Sequence, residues 1–206
     1  WYRRTFTDQP KKGQRLLLHF GAVDFRTQVW VNGIEVTDVP HESGNLPFSL
    51  DITDAVHAGE NELILSVWDP SNEGFQSVGK QHLKPHGCMY TRVSGIWQTV
   101  WLESVPSTYI TGYKVVTDID AGTVAVTLQT QGNLMGAKAE IEVLRDGKTQ
   151  ARAKVTAWNR PVILKIKDPQ LWSPDTPTLY DLRLTLDAAG GKDTAGGYFG
   201  MRKIEW

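Results

Sequence analysis

The chain has 206 residues, 40% of them hydrophobic and 22% charged, with 22 basic against 23 acidic side chains for a formal net charge of -1. A balance this neutral carries no electrostatic footprint for a phosphate backbone, which argues against nucleic acid as a partner. No apolar run approaches the ~18 residues of a membrane-spanning helix, which argues against a membrane, and the single cysteine, Cys88, excludes an internal disulfide.

The chain opens on Trp1-Tyr2-Arg3-Arg4, with neither an initiator Met nor a signal peptide. It is read as a piece of a longer protein whose compartment stays open. Short β-runs follow, separated by turn residues, with no sustained helical period. The first covers 15–20 and the next 27–31. Asn32-Gly33 then joins 27–31 to 34–36. Asn-Gly between apolar runs is a strong hairpin signal, because both central residues of a type I′ turn need positive φ. Residues 48–51 form another strand, and Asp51-Ile52-Thr53-Asp54 reads as a capped turn. Turn residues at 58–61 lead into an alternating strand over 62–68. Residues 96–105 alternate as well, with Trp97, Thr99, Trp101 and Glu103 on one face. That pattern, with Trp30, predicts core or inter-domain packing for these tryptophans. Between the last two strands lies a Gly-, Ser-, Pro-, Lys- and His-rich loop over 69–95. It exceeds the ~12–15 residues usual for structureless loops in compact domains, and long loops are often functional.

After Pro106-Ser107 a second series runs 109–118, 123–131, 137–145, 148–155, 162–166, 179–187 and 193–199, with Asp146-Gly147 as a second hairpin turn. Seven short strands at this spacing have the pattern of an immunoglobulin-like sandwich. The predicted class is all-β. The boundary falls at 105–108, giving domains 1–106 and 107–206.

Several phrases carry a resemblance. Leu17-Leu18-His19-Phe20-Gly21-Ala22-Val23-Asp24 with Val29-Trp30-Val31-Asn32-Gly33, Pro47-Phe48 before Asp51-Ile52-Thr53, and Gly59-Glu60-Asn61-Glu62-Leu63 resemble the sugar-binding domain of glycoside hydrolase family 2. Gly79-Lys80-Gln81, Tyr90-Thr91 and Ser94-Gly95-Ile96-Trp97-Gln98-Thr99-Val100-Trp101-Leu102-Glu103 are similar to it in order and spacing. Leu171-Trp172-Ser173-Pro174-Asp175 resembles the family's immunoglobulin-like domain, and 199–205 its join to a catalytic barrel. The resemblance implies a jelly-roll (galactose-binding-like) β-sandwich, then an immunoglobulin-like β-sandwich, then a TIM-type barrel bearing two catalytic glutamates. By that layout the chain begins inside the jelly roll, without its first strands, and ends before the barrel. Trp1 and Trp206 would then sit exposed at cut ends, and Trp172 would plug the end of its sandwich.

The resemblance also implies that the long loop helps shape a sugar pocket, with Asp69 at an acidic position that contacts substrate hydroxyls. A carboxylate suits that role because it accepts two hydrogen bonds from neighbouring hydroxyls. Trp68 would offer an apolar face, and Lys80, Gln81 and His82 would add donors. The plainer reading makes Asp69-Pro70 a turn opener, Trp68 core, and Lys80 and Gln81 solvated. Asn61-Glu62 and Asn72-Glu73 superficially match the family's acid/base pair, but one sits in a turn and the other in an open loop. His82, His86 and Cys88 have no evident fourth ligand for zinc, so no metal site and no cofactor is assigned. A structural calcium or sodium ion on Asp69 and Asp24 stays open.

Three functions are compatible with this pattern. The first is a non-catalytic fragment of a glycosidase for β-linked sugars such as a galactoside, glucuronide or mannoside. Its partners would be carbohydrate and the barrel of its own parent chain. The second is a free-standing carbohydrate-binding module. The third is a structural or adhesion β-sandwich.

Overall fold

The computed structural model describes residues 1–155 and 158–205, so Trp206 lies outside the described residues. The fold is all-β, and the chain divides into two compact units, Trp1–Ser104 and Val105–Trp206.

In the first unit the strands are β1 (Tyr2–Phe6), β2 (Gln14–Phe20), β3 (Val23–Asp24), β4 (Arg26–Val31), β5 (Ile34–Glu35), β6 (His41–Glu42) and β7 (Phe48–Asp51). A 3-10 turn, Thr53–Ala55, precedes β8 (Asn61–Trp68), β9 (Gln81–His82), β10 (Tyr90–Thr91), β11 (Gly95–Ile96) and β12 (Val100–Pro106). One sheet has the order β1-β8-β4-β5, with β6 also on β4, and the other has the order β12-β2-β7. Leu16, Leu18 and Phe20 from β2 meet Val29 and Val31 from β4 and Leu65 from β8 in one core. The period-2 pleat turns these residues inward. Each such buried side chain contributes about 1.5–3 kcal/mol relative to exposure. The hairpin at Asn32-Gly33 has φ of 51° and 79°, as a type I′ turn requires.

A buried amide knot closes the β4–β8 end of this sandwich. Asn61 is fully buried. Its Oδ1 accepts from Asn32 Nδ2 at 2.7 Å and from the His57 amide at 2.9 Å, while its Nδ2 donates to the carbonyls of His57 and Gly59. Asn32 Oδ1 in turn accepts from the Glu62 amide at 2.9 Å. Glu62 pairs with Arg3 across the sheet at 2.5 Å. The Asn61-Glu62 pair is therefore committed to holding strands together.

The tryptophans on 96–105 stay out of the first unit's core. The alternation breaks between β11 and β12, where the Trp97 and Gln98 amides both reach the Ala22 carbonyl and Gly21 N donates to Thr99 O. Trp97 turns outward, 58% exposed, with Nε1 donating to Gly44 O at 2.8 Å. Trp101 is 44% exposed. Trp30 is half-buried beneath Trp1, ring centres 5.7 Å apart, while Trp1 itself is 83% exposed.

The second unit contains β13 (Tyr109–Asp118), β14 (Thr123–Gln131), β15 (Lys138–Arg145), β16 (Lys148–Val155), β17 (Val162–Lys165), β18 (Tyr180–Ala188) and β19 (Gly191–Phe199). They form sheets β13-β14-β17 and β16-β15-β18-β19 around a core that includes Val124, Val126, Ile141, Val143, Leu182 and Leu184. On the opposite face of β15, Glu142 accepts from Arg152 at 2.6 Å and Arg183 at 2.9 Å, bracing three strands. Trp172 packs over Gly200 and donates its backbone N–H to Met201 O, with the Arg202 guanidinium 5.0 Å from its ring centre.

Removing the buried Asn61 amide breaks its hydrogen bonds to Asn32, to the His57 backbone and to the Gly59 carbonyl together. Asn61→Ala is expected to lower the first unit's unfolding free energy by about 2–3 kcal/mol. Urea unfolding checks this, and an unchanged midpoint would remove Asn61 from its closing role.

Candidate functional site

The site forms where β4 and β8 reach the end of their pairing. Their register runs from Val31↔Leu63 to Arg26↔Trp68. Trp68 is followed at once by Asp69, and Arg26 is preceded by Asp24-Phe25, so both aspartates emerge at the same end of the sheet. Asp24 is pinned further by β11, since Gly95 pairs with Asp24 and Ile96 with Val23. Gly95 adopts φ +102° and lies under the Tyr2 hydroxyl, where a Cβ would sit 1.9 Å from the oxygen. Only glycine fits there. Gly44 lies against the Asp24 carboxylate, where a Cβ would come within 2.4 Å of Oδ1.

Two cavities open at this end. The larger, about 750 Å³, is bounded by Asp24, Glu42, Asn45, Trp68, Phe75 and Gln76 among others. The smaller, about 330 Å³, shares Asp24, Gly44, Asn45 and Gln81 with it and adds Ser94 and Trp97. Trp68, Phe75 and Trp97 are all exposed there, so the walls combine aromatic surface with carboxylates.

The two aspartates differ in their surroundings. Asp69 Oδ1 accepts from the Ser71 amide at 2.6 Å and from Gln76 Nε2 at 3.0 Å, and Oδ2 accepts from Ser94 Oγ at 2.6 Å. Burial opposes its ionisation, but these hydrogen bonds and the charge of Arg92 outweigh it, holding the carboxyl below its ordinary value. The Asp24 carboxylate accepts no hydrogen bond from a described residue. Burial and the neighbouring Asp69 charge push its pKa up. Asp24 thus lines both cavities with its acceptor capacity open, and Asp69 sits behind it, largely occupied.

The other predicted residues divide around this centre. Trp68 lines the larger cavity, and Gln81 lines both while its Oε1 accepts from the Val93 amide at 2.6 Å. The 69–95 loop is ordered by a short parallel pairing of β9 with β10. Lys80 lines neither cavity and places Nζ 5.6 Å from the Tyr90 ring centre. His82 also lines neither; its Nδ1 accepts from the Lys84 amide and its ring meets His86 edge-on at 5.4 Å. Asn72 Oδ1 accepts from the Leu83 amide at 2.8 Å, while Glu73 lines the larger cavity. Among the described residues no group of three or more His, Cys, Asp or Glu converges as a metal would need.

Reading the sequence singled out Asp24 only as a possible ion ligand. It gave Trp97, Gln76 and Ser94 no place in the site. Their convergence depends on the β3–β11 pairing, which joins segments some 70 residues apart and leaves no local signal.

The family described as glycosyl hydrolases family 2, sugar binding domain, matches residues 1–106, and that described as glycosyl hydrolases family 2 matches 108–202. A β-galactosidase from Thermoanaerobacter pseudethanolicus is 30% identical over 198 residues, which covers 91% of this chain and 26% of that protein. A β-glucuronidase from Rattus norvegicus is 28% identical, covering 90% of this chain and 32% of that protein. Among solved structures, a family 2 glycosyl hydrolase from Bacteroides cellulosilyticus superimposes with a TM-score of 0.78 at 25% identity, covering 99% of this chain and 28% of that one. A Ruminococcus gnavus β-glucuronidase solved with D-glucuronic acid gives 0.79 at 22% identity, with coverage of 100% and 36%, and shares the fold. The chain therefore spans roughly a quarter to a third of the length of these proteins.

Because the Asp69 charge helps raise Asp24, Asp69→Asn is expected to move the Asp24 titration down toward the ordinary aspartate value. Carboxyl carbon NMR across the acid range reads this directly. An unmoved Asp24 midpoint would show that the two charges are not coupled.

Proposed function

The chain belongs to glycosyl hydrolases family 2, and on that premise we propose that it is a sugar-binding, non-catalytic part of a glycosidase for β-linked sugars. The observation that carries this reading is the open Asp24 carboxylate facing both cavities, backed by Asp69 and flanked by Trp68, Phe75 and Trp97. A carboxylate accepts paired hydrogen bonds from adjacent sugar hydroxyls, and an exposed aromatic face covers the apolar C–H face of a pyranose. Asp69 already accepts three hydrogen bonds of the roughly four a carboxylate can take. It has room for about one sugar hydroxyl and otherwise holds Gln76 and Ser94 in the cavity walls.

The same occupancy argues against cleavage by this chain. A retaining glycosidase needs one carboxylic acid and one free carboxylate nucleophile about 5–5.5 Å apart. Asp24 and Asp69 are pushed in opposite directions, as an acid and a nucleophile would be. Both oxygens of Asp69 are nevertheless engaged by the protein, which ties the carboxylate to the cavity wall and leaves at most one lone pair, a poor arrangement for a nucleophile. The hydrolytic pair would come from a barrel domain of the parent polypeptide, a reading supported by the quarter to third of its relatives that the chain spans. Shaping the sugar pocket beside that barrel is the role proposed for the 69–95 loop.

Aryl β-galactoside, β-glucuronide and β-mannoside are expected to release no aglycone above the buffer blank with this chain. Methyl β-glycosides are expected to bind, and Asp24→Ala to weaken binding by about tenfold or more, the size of a lost charge-assisted hydrogen bond. Gly44→Ala, which drives a methyl group into Asp24 Oδ1, is expected to do the same. Aglycone release abolished by Asp24→Ala would instead make the aspartate pair a catalytic centre.

A further inference from the structure

The outward face of the β12-β2-β7 sheet carries an aromatic site that lines neither Asp24 cavity. Leu16, Leu18 and Phe20 turn into the core, so the pleat turns His19 outward. The Trp101 indole lies on the His19 imidazole, ring centres 4.8 Å and planes 17° apart. His19 is itself held through its Nδ1, while its Nε2 faces Glu103 without making a hydrogen bond. Nδ1 is 2.7 Å from Ser49 Oγ on β7, and Nε2 is 3.0 Å from Glu103 Oε2 on β12. The His19 side chain is only 13% exposed, whereas Trp101 and Glu103 are about half exposed. Three strands thus hold an exposed indole in one orientation. The Arg15–Asp51 ion pair, also from β2 and β7, completes a polar rim on this face.

The rim decides what fits. A protein partner burying Trp101 would also have to desolvate Glu103 and the Arg15–Asp51 pair, which costs free energy unless each is re-paired. A sugar ring places C–H groups on an indole and hydroxyls on its edge, so those charges keep hydrogen-bonding partners. The geometry points to a glycan-binding surface, with Trp101 stacked on a pyranose ring of a β-linked oligosaccharide and Glu103 accepting from its hydroxyls. The platform lies on a sheet face rather than in a pocket, so it takes a ring within an extended chain and does not require a chain end.

The test is a titration of the 206-residue chain with cellotetraose, xylotetraose, mannotetraose and β-1,4-galactotetraose, following tryptophan indole N–H resonances. Trp101→Phe assigns the Trp101 signal. At least one tetraose is expected to shift it saturably. Trp101→Ala is expected to weaken that tetraose about tenfold, the scale of a lost aromatic stack plus its buried area. Asp24→Ala is expected to leave this binding unchanged, which separates it from the cavity. If Trp101→Ala unfolds, Glu103→Gln at intact fold is expected to weaken the same binding severalfold. No shift with any of the four sugars overturns the assignment. So does a shift lost in Asp24→Ala, or one that appears on concentrating the protein without sugar, which would make this face a contact between copies.

Discussion

The first unit depends on how β4 is held against β8. A one-residue slip in that pairing would turn Val29, Val31 and Leu65 out of the core, because side chains alternate faces along a strand. The apolar alternation alone penalises the slip, and the Asn32–Asn61 knot adds a polar lock at the hairpin end. A buried amide is costly to leave unpaired, so a register that breaks the knot loses several hydrogen bonds together. From that fixed end the two strands run to Arg26 and Trp68, and their continuations deliver Asp24 and Asp69 to one place. The cavity's chemistry is set by a lock at the far end of the same strand pair.

At the cavity the two aspartates face a shared electrostatic problem. Like charges in a partly desolvated site disfavour double ionisation. Asp69 is relieved by three donors and the nearby Arg92, whereas Asp24 has none among the described residues. Ligand hydroxyls would give Asp24 the donors that the protein supplies to Asp69. Gly44 and Gly95 make room for this arrangement, one beneath the Asp24 carboxylate and the other beneath the Tyr2 hydroxyl, so the close approach is built into the backbone.

The tryptophans divide by what supports them. Trp30 and Trp172 are covered or backed by neighbours in their own units, namely Trp1 for the first and Gly200 with Arg202 for the second. Trp68 and Trp97 border the cavities, and Trp101 rests on a histidine anchored by Ser49. An aromatic buried in a core needs only volume, but an exposed one kept in a single orientation needs braces. Here those braces are the Gly44 carbonyl for Trp97 and the Ser49-held His19 ring for Trp101.

Much of this fold is legible residue by residue. Positive φ at Asn32-Gly33 and Asp146-Gly147 follows from residue type, and strands such as 109–118, 123–131 and 148–155 follow from period-2 patterning between turns, because both are local consequences of backbone sterics and of one buried face. The phrases shared with the family add the two sandwiches and direct attention to the 69–95 loop. Local pattern misleads at 96–105, where β3 and Gly21–Ala22 pull the backbone out of a continuous strand at Trp97, while Trp101 follows the regular alternation of β12 onto its exposed face. It is also silent on Asp24, since one aspartate between apolar runs reads the same whether its carboxylate is bonded or free. Only the tertiary structure could separate the roles of Asp24 and Asp69. Ionisation, free acceptor capacity and exposure depend on which distant groups arrive within a few ångströms, and short-range periodicity carries no record of that.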